Sequence, residues 1–262
     1  MDHGRARRVD AALKRPGSAK RRGLGSVFLA VLAIALPPLG GGCAATEPTP
    51  APTPSAARST APTATGTAAD AIELFDGKTL AGWTRRGGEA EYRVEDGAIV
   101  GRTRPGQRNS FLCTDRLFAD FELTFEFQID DEANSGVQFR SRSVPEYRKG
   151  QVYGYQFEID PSARAWTGGI YEEGRRGWLA NLAGDAAARA AFRPRAWNRG
   201  RVRAEGARIR TWLNDVPAAD LCEDLVPDAI REGFIALQVH GVGERAEPLV
   251  VRWRSLRLIP LR

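Results

Sequence analysis

The sequence predicts an all-β fold in which two antiparallel sheets pack face to face. Apolar and polar residues alternate over several segments, glycine-rich turns separate these segments, and the strand–helix–strand alternation of parallel sheets is missing. A jelly-roll sandwich of the lectin or laminin-G type fits this pattern best. A closed barrel is the main alternative, because the number of strands alone does not separate the two architectures.

The clearest strand is Phe121–Asp130, where apolar and polar residues alternate without a break. The same alternation predicts five further strands, at residues 136–140, 153–160, 208–213, 234–240 and 250–259. Residues 91–100 predict a hairpin around a Glu-Asp-Gly turn. Two short helical segments are expected, at residues 185–191 and 224–230.

The first 43 residues read as a secretory signal. Eight Arg and Lys residues in positions 1–22 precede an apolar run, Val27–Leu36, and small residues end the segment at Cys43. The apolar run is shorter than the roughly 20 residues of a membrane-spanning helix. An uncleaved N-terminal anchor is the alternative interpretation.

Cys43 occupies the position of the acylated cysteine in a bacterial lipoprotein signal. Gly40–Gly42 supply the small residues before it, although Leu39 comes one position too early for a good lipobox. We therefore predict lipidation of Cys43. The protein would be exported, to the periplasm or as a lipoprotein of the outer membrane or cell surface, with no membrane contact except this lipid anchor.

Residues 44–70 are rich in Ala, Thr and Pro and predict a disordered linker, because they contain too little apolar surface to fold. The folded domain is then residues 71–262. The whole chain carries 38 basic and 32 acidic residues. Residues 1–22 contain eight of the basic and two of the acidic residues, so the rest of the chain has 30 of each and no net charge. The high pI belongs to the signal, and nucleic acid is excluded as a partner.

After Cys43 the chain contains two further cysteines, Cys113 and Cys222. In an oxidising compartment they can form a disulfide, whereas two buried free thiols are the alternative. The sequence does not decide between the two.

One face of the predicted sheet carries an unusual set of polar residues. Because neighbouring side chains of a strand point to opposite faces, three strands place their amides and charged groups away from the core: Gln138, Arg140, Gln156, Glu158, Asp160, Gln238 and His240. Such planar groups suit the paired hydroxyls of a sugar, and four aromatic residues can stack on a sugar ring: Trp166, Tyr171, Trp178 and Trp212. The alternative is an ordinary solvated face, which we expect for Glu122, Thr124, Glu126 and Gln128.

The domain resembles the 3-keto-disaccharide hydrolase family. The resemblance rests on Leu74–Trp83, Asn134–Arg140, Gly154–Pro161, Thr167–Trp178 and Gly233–Gly241, together with Trp197-Asn198 and Thr211–Asn214. It covers essentially the whole folded part and implies a concanavalin-like jelly-roll. For activity, it implies cleavage of glycosides that are already oxidised at C3.

A ketone at C3 acidifies the proton on C2, so that a base can remove this proton while the substituent on C1 leaves, and water then adds to the enone. We assign Glu158 and His240 as base and acid, with Asp160 orienting a neighbour. Arg140 and Gln156 would support the enolate and hydroxyls. The pocket would be completed by Asn134, Gln138, Tyr171, Glu173, Arg175 and Gln238.

Three alternatives accompany this assignment. The domain can be a non-catalytic carbohydrate-binding module, because this fold also serves lectins, or a scaffold in an envelope complex. His240, near a strand end, can simply satisfy a backbone carbonyl. Glu158, Asp160 and His240 can in principle converge on one ion, but no short-range ligand spacing is present, so we predict no metal and no cofactor.

Overall fold

The computed structural model describes residues 71–261, in which the chain forms fifteen strands and one short helix. The predicted signal (residues 1–43), the predicted lipidation site Cys43 and the predicted linker (residues 44–70) lie outside the described residues. The elements are β1 (Ile72–Glu73), β2 (Trp83–Gly87), β3 (Glu91–Glu95), β4 (Ala98–Arg102), β5 (Ser110–Thr114), β6 (Phe121–Ile129), β7 (Ser135–Arg142), β8 (Tyr153–Ile159), β9 (Ile170–Glu173), β10 (Gly177–Ala180), α1 (Ala186–Ala190), β11 (Asn198–Glu205), β12 (Arg208–Leu213), β13 (Val216–Cys222), β14 (Phe234–Val239) and β15 (Val250–Pro260).

The strands form two antiparallel sheets. The first sheet has the order β13-β12-β11-β6-β15-β4-β3, and β1 also pairs with β15. The second sheet has the order β10-β9-β8-β7-β14-β5-β2. This arrangement confirms the predicted sandwich and not the barrel. All six strands predicted from alternation are present, and the hairpin predicted at residues 91–100 is β3 and β4.

The core lies between the sheets and follows the predicted alternation. In β6 every second residue from Phe121 to Ile129 is buried. The facing strands of the second sheet contribute Val137, Phe139 and Phe157, and the Phe125 and Phe157 rings pack edge to face with centroids 5.2 Å apart. Burial of each phenylalanine contributes about 1.5–3 kcal/mol to folding. The opposite face of β6 carries polar residues at every second position.

Strand β7 contains a bulge that changes the predicted direction of Arg140. The pairing register with β8 shifts between Phe139 and Arg142, and Arg140 has a positive φ of 46°. Its side chain is fully buried and donates hydrogen bonds to Ala119 O at 2.7 Å, Gly206 O at 2.9 Å and the Asp120 carboxylate at 2.6 Å. The expectation that Arg140 faces the ligand side is wrong, because the bulge breaks the two-residue alternation. Since Gly206 belongs to the β11–β12 turn, Arg140 instead ties the second sheet to the first.

Of the two predicted helical segments, only the first is helical. Asp185 caps α1, with its carboxylate accepting a hydrogen bond from Ala188 N at 2.8 Å. Residues 224–230 form turns instead, held by Val226 N bonding Glu223 O and Ala229 N bonding Val226 O. Pro227, which lacks a backbone N–H, disfavours continuation of a helix through this segment. Within residues 71–261, no helix has the length and apolarity to span a membrane.

Cys113 is a free, buried thiol, so the Cys113–Cys222 disulfide, which the sequence left open, is not formed. Cys113 lies on the outer side of the second sheet in a small apolar cluster with Phe111, Val152 and Phe234. Burial raises the pKa of its thiol to about 12, with nearby Arg86 opposing the shift. The thiol is therefore protonated at physiological pH and is a weak nucleophile.

Replacing Arg140 with Met tests the link between the sheets. The change keeps an unbranched apolar stem but removes every hydrogen bond that Arg140 donates. We expect the free energy of unfolding to fall by about 2–3 kcal/mol, measured by urea unfolding with tryptophan fluorescence. Arg104→Met, at an exposed position, is the matched control and should change stability by less than about 0.5 kcal/mol. Equal losses for the two variants would contradict this role.

Candidate functional site

A cleft of about 540 Å³ opens on the outer face of the second sheet. Residues from β8, β9, β10 and β14, and from the segments next to β5, β7, β8 and β14, line it. Eight of the predicted site residues lie in its wall: Asn134, Gln156, Glu158, Asp160, Tyr171, Glu173, Gln238 and His240. The cleft therefore brings together most of the polar face that alternation predicted.

Glu158 is a nearly buried carboxylate in the wall of this cleft, with 4 % of the residue exposed. Its Oε1 accepts a hydrogen bond from Asn134 Nδ2 at 2.8 Å, and its Oε2 accepts one from Gln156 Nε2 at 2.6 Å. Burial raises the pKa of Glu158, although these two hydrogen bonds act in the opposite direction. Each carboxylate oxygen keeps a second lone pair that can accept a proton.

A chain of side chains behind Glu158 fixes its orientation. Ser141 Oγ donates to Gln138 Oε1 at 2.7 Å, and Gln138 Nε2 donates to Gln156 Oε1 at 2.6 Å. Gln156 then donates to Glu158. Gln138 is fully buried and lies behind the cleft wall, so it positions Gln156 and does not face a ligand. The chain gives Glu158 a rigid, directed set of donors.

Gly136 makes room for this chain. Gly136 pairs with Glu158 on the neighbouring strand β8 and with Gln238 on the neighbouring strand β14. A Cβ at Gly136 would lie 2.3 Å from the Gln156 side-chain carbon Cδ, which is closer than any normal contact. The absence of a side chain at this position is therefore a condition for the observed position of Gln156.

Glu173 is the second carboxylate of the cleft. Its Oε1 accepts from Asn109 Nδ2 at 3.4 Å and its Oε2 from Gln238 Nε2 at 3.2 Å, although β9 and β14 are separated by two strands. The second sheet is therefore concave on this face. Burial raises the pKa of Glu173, whereas its hydrogen bond from Asn109 and the nearby His240 lower it. The charge of Glu158 also raises the pKa of Glu173, so the two carboxylates influence each other.

Tyr171 and His240 add groups that can exchange protons. Burial raises the pKa of the Tyr171 hydroxyl, and the charges of Glu173 and Glu158 raise it further, so that it remains a hydrogen-bond donor. His240 is exposed, and its Nδ1 lies 2.8 Å from Gly241 O. Because a carbonyl only accepts, Nδ1 carries the hydrogen and Nε2 is left for a ligand. His240 thus both satisfies a backbone carbonyl and lines the cleft.

Asp160 holds Arg164. The buried Asp160 carboxylate accepts hydrogen bonds from Arg164 Nε at 2.8 Å and from Ser162 N at 3.2 Å. The Arg164 guanidinium lies over Trp166 and Trp178, at 5.1 and 5.4 Å from the ring centroids. Asp160 therefore orients a neighbouring cation at one end of the cleft, and is less available as a proton acceptor than Glu158.

Arg175 lies elsewhere. It forms an ion pair with Glu172 at 3.1 Å and another with Asp228, and it is absent from the cleft wall. The prediction that Arg175 shapes the pocket is wrong, because β9 ends at Glu173 and the following turn directs Arg175 toward the buried Glu172. Together with Arg140 and Gln138, it is one of three predicted site residues that do not line the cleft.

Trp178, one of the aromatic residues expected to stack on a sugar, lines the cleft. The cleft also contains residues that the sequence did not indicate: Asn109, Asp131, Glu132, Ala133, Ser162 and Arg164. Most of them lie in connecting segments, where alternation carries no information. Among them, Arg164 is the residue that the sequence could best have indicated, because it lies four residues after Asp160 and two before Trp166. Within residues 71–261, no group of three or more His, Cys, Asp or Glu side chains is arranged to hold a metal ion.

Two solved bacterial structures illustrate the likeness of this fold to known proteins. One is a crystal structure of a putative glycosyl hydrolase from Parabacteroides distasonis, with 21 % identity, a TM-score of 0.52, and coverage of 74 % of this chain and 95 % of that one. The other is a protein of unknown function with a galectin-like fold from Bacillus subtilis, with 13 % identity, a TM-score of 0.50, and coverage of 69 % and 90 %. At these identities the likeness shows the fold alone.

A search of curated proteins finds no match to this chain. A family model does match, over residues 70–259, and its description is the 3-keto-alpha-glucoside-1,2-lyase-like domain. This match spans both sheets and every residue of the cleft, and it confirms the resemblance identified in the sequence. The chain therefore belongs to the 3-keto-disaccharide hydrolase family, whose domain is described as 3-keto-alpha-glucoside-1,2-lyase-like.

Proposed function

We propose that this protein is an exported enzyme that cleaves 3-keto-glycosides by removing the C2 proton, eliminating the C1 substituent and hydrating the product. The family and the sandwich fold support a glycosyl hydrolase-like or carbohydrate-binding domain. The proposed reaction on 3-keto-glycosides rests on one observation: Glu158 is a buried carboxylate with a raised pKa, and hydrogen-bond donors hold it in a polar cleft.

In the first step Glu158 takes the C2 proton. The C2–H electrons form a C1=C2 double bond by way of the enolate, the C1–O bond breaks, and the leaving oxygen receives a proton from the acid. In the second step water adds across C1=C2, so that C1 gains a hydroxyl and C2 regains a proton. The sum of both steps is hydrolysis, whereas the first step alone is a lyase reaction.

The other residues of the cleft have roles that suit this reaction. His240 is the proposed acid and base at the leaving oxygen: its imidazolium form donates the Nε2 proton in the first step, and the neutral ring takes a proton from the attacking water in the second, while protonated Glu158 returns its proton to C2. Tyr171 and Arg164 are donors for the negative charge that develops on the C3 oxygen, in place of the buried Arg140. Gln238 Oε1 has no hydrogen-bond partner among the described residues and would accept from a substrate hydroxyl.

A carbohydrate-binding module without catalysis is the second candidate. Trp178 lies between two aromatic rings, with centroid distances of 4.7 Å to Trp166 and 5.3 Å to Tyr171. Such a cluster at the end of a polar cleft favours stacking on a sugar ring. The carboxylates would then only form hydrogen bonds with sugar hydroxyls, and binding would not require Glu158 to be ionised.

Glu158→Gln tests the enzyme proposal directly. Gln keeps the size of the side chain but cannot accept the C2 proton, so we expect kcat on chromogenic 3-keto-glucosides to fall at least 100-fold, with the circular-dichroism spectrum unchanged. His240→Ala should also lower kcat, most strongly for poor leaving groups. Glu122→Gln, on the outer face of the first sheet, is the matched control and should retain wild-type activity.

Full activity in both Glu158→Gln and His240→Ala would contradict the assignment of Glu158 as the base and His240 as the acid. If the wild-type protein releases no leaving group but binds the parent glycan saturably, the binding module is the correct function.

The pH dependence of kcat/KM should follow the ionisation of the Glu158 carboxylate. Only the ionised carboxylate can take a proton, so activity is lost as the pH falls through its pKa, and burial places that pKa above the ordinary value of 4.5. We expect the midpoint of the acid limb above pH 4.5. Asn134→Ala removes a hydrogen bond that lowers this pKa, so the limb should move to higher pH, whereas Gln128→Ala on the first sheet should leave it in place. A limb that moves to lower pH in Asn134→Ala would contradict Glu158 as the base.

The export route is also a proposal, which the basic and apolar segments of residues 1–43 support. We expect the wild-type protein in the membrane fraction of its native type of host and labelled by a fatty-acid probe. Cys43→Ala should abolish the labelling and release the protein. Retention of Cys43→Ala in the membrane fraction would favour the uncleaved N-terminal anchor.

A further inference from the structure

The cleft that contains Glu158 adjoins a second compartment of about 470 Å³ on the same sheet. Asn109 and Glu173 line both compartments, so they form the boundary between them. The Glu158 side, here called the first compartment, is lined mainly by polar and aromatic residues. The second compartment lies over β5 and is bounded by the segment before β8.

The second compartment combines an apolar floor with a polar rim. Phe111 and Val152 form the floor and belong to the apolar cluster around Cys113. The rim carries Gln107, Arg108 and Gln151. An apolar surface surrounded by amide and guanidinium groups fits a ring that has one flat apolar face and polar substituents at its edge.

Glycines form part of the wall of the second compartment. A Cβ at Gly241 would lie 2.5 Å from Gln107 O, and a Cβ at Gly87 would lie 2.5 Å from Asn109 O. These backbone segments approach so closely that only glycine fits. The wall therefore consists largely of bare backbone, which leaves the space next to Phe111 unfilled by side chains.

The boundary between the compartments is firmly held. Asn109 donates from Nδ2 to Glu173, and its Oδ1 accepts from Gly241 N at 3.0 Å. It thereby connects β9 with the segment after β14. His240 directly precedes Gly241, so the proposed acid stands beside the same boundary. A glycosidic oxygen located there would have its C1 side in the first compartment.

We propose that the second compartment is a leaving-group subsite for a six-membered ring with one apolar face and a polar edge, and that the cleaved bond crosses the boundary at Asn109 and Glu173. This inference rests on the proposed function, because it assigns the first compartment to the 3-keto sugar. A second sugar and a phenol share the required chemistry. Glycosides with small leaving groups would leave the subsite empty.

The test compares methyl, phenyl and glucosyl 3-keto-glucosides as substrates of the full-length protein. Gln151→Trp places an indole in the second compartment, and Gln128→Trp on the first sheet is the matched control. Comparing each variant with wild type on the same substrate cancels the intrinsic reactivity of the leaving groups. We expect Gln151→Trp to lower kcat/KM at least tenfold for the ring leaving groups and less than twofold for methyl, with Gln128→Trp unchanged on all three.

The outcomes separate the sources of the ligand. A loss confined to the glucosyl substrate identifies a second sugar, and a loss confined to the phenyl substrate identifies an aryl leaving group. Equal effects of Gln151→Trp on methyl and ring substrates, or no effect on any, would overturn the subsite. Arg108→Trp is a second blocking variant in case Gln151→Trp does not fold.

Failure of the proposed function gives a different result. If wild type cleaves none of the three compounds, calorimetric dissociation constants of the same compounds test the subsite alone. Weaker binding of the ring compounds only, in Gln151→Trp, would support the subsite in a binding protein. Unchanged dissociation constants for all three would overturn it.

Discussion

A carboxylate can remain buried on the face of a sheet only if its oxygens meet hydrogen-bond donors, because removal from water strongly disfavours its charge. In this protein Glu158 meets that condition through Asn134 on one oxygen and Gln156 on the other. Gln156 is itself held by Gln138, which is held by Ser141. Ser141 reaches the outer face because β7 is bulged at Arg140, and Gln156 has room because residue 136 is glycine. The geometry of the cleft therefore depends on the local irregularity of one strand.

The same bulge serves the core. It turns the Arg140 side chain to the other side of the strand, where it meets the Asp120 carboxylate and the carbonyls of Ala119 and Gly206, in segments next to strands of the first sheet. A single extra residue thus gives the outer face a hydroxyl donor and gives the sandwich a connection between its sheets. The buried cation is tolerated because its three acceptors, two carbonyls and one carboxylate, compensate for its lost hydration.

The sequence predicted those features that follow from regular alternation. The strand Phe121–Ile129 and the outward positions of Gln156, Glu158 and Gln238 were correct, because nothing interrupts the two-residue period in these strands. Arg140 was misplaced by the bulge, for which its neighbours give no distinct signal. Arg175 was misplaced because it lies beyond the end of β9, in a turn. Asn109 was missed because it is in a connecting segment and gains its importance only from contacts with Glu173 and Gly241, which are far away in the chain. The family resemblance supplied the chemistry, which alternation alone does not provide.

The hydrogen bonds that connect Ser141 with Glu158 through Gln138 and Gln156 all run in one direction. Every amide along this path points its N–H end toward the carboxylate and its oxygen end away, so the dipoles add along one line. In water, solvent molecules would have to rotate whenever Glu158 gained or lost charge, and that reorganisation costs free energy in each turnover. Here the dipoles are already aligned and cannot rotate without breaking their neighbours' bonds. After Glu158 takes a proton, the same fixed field favours its release, so the site returns to its starting charge state without rearranging its surroundings.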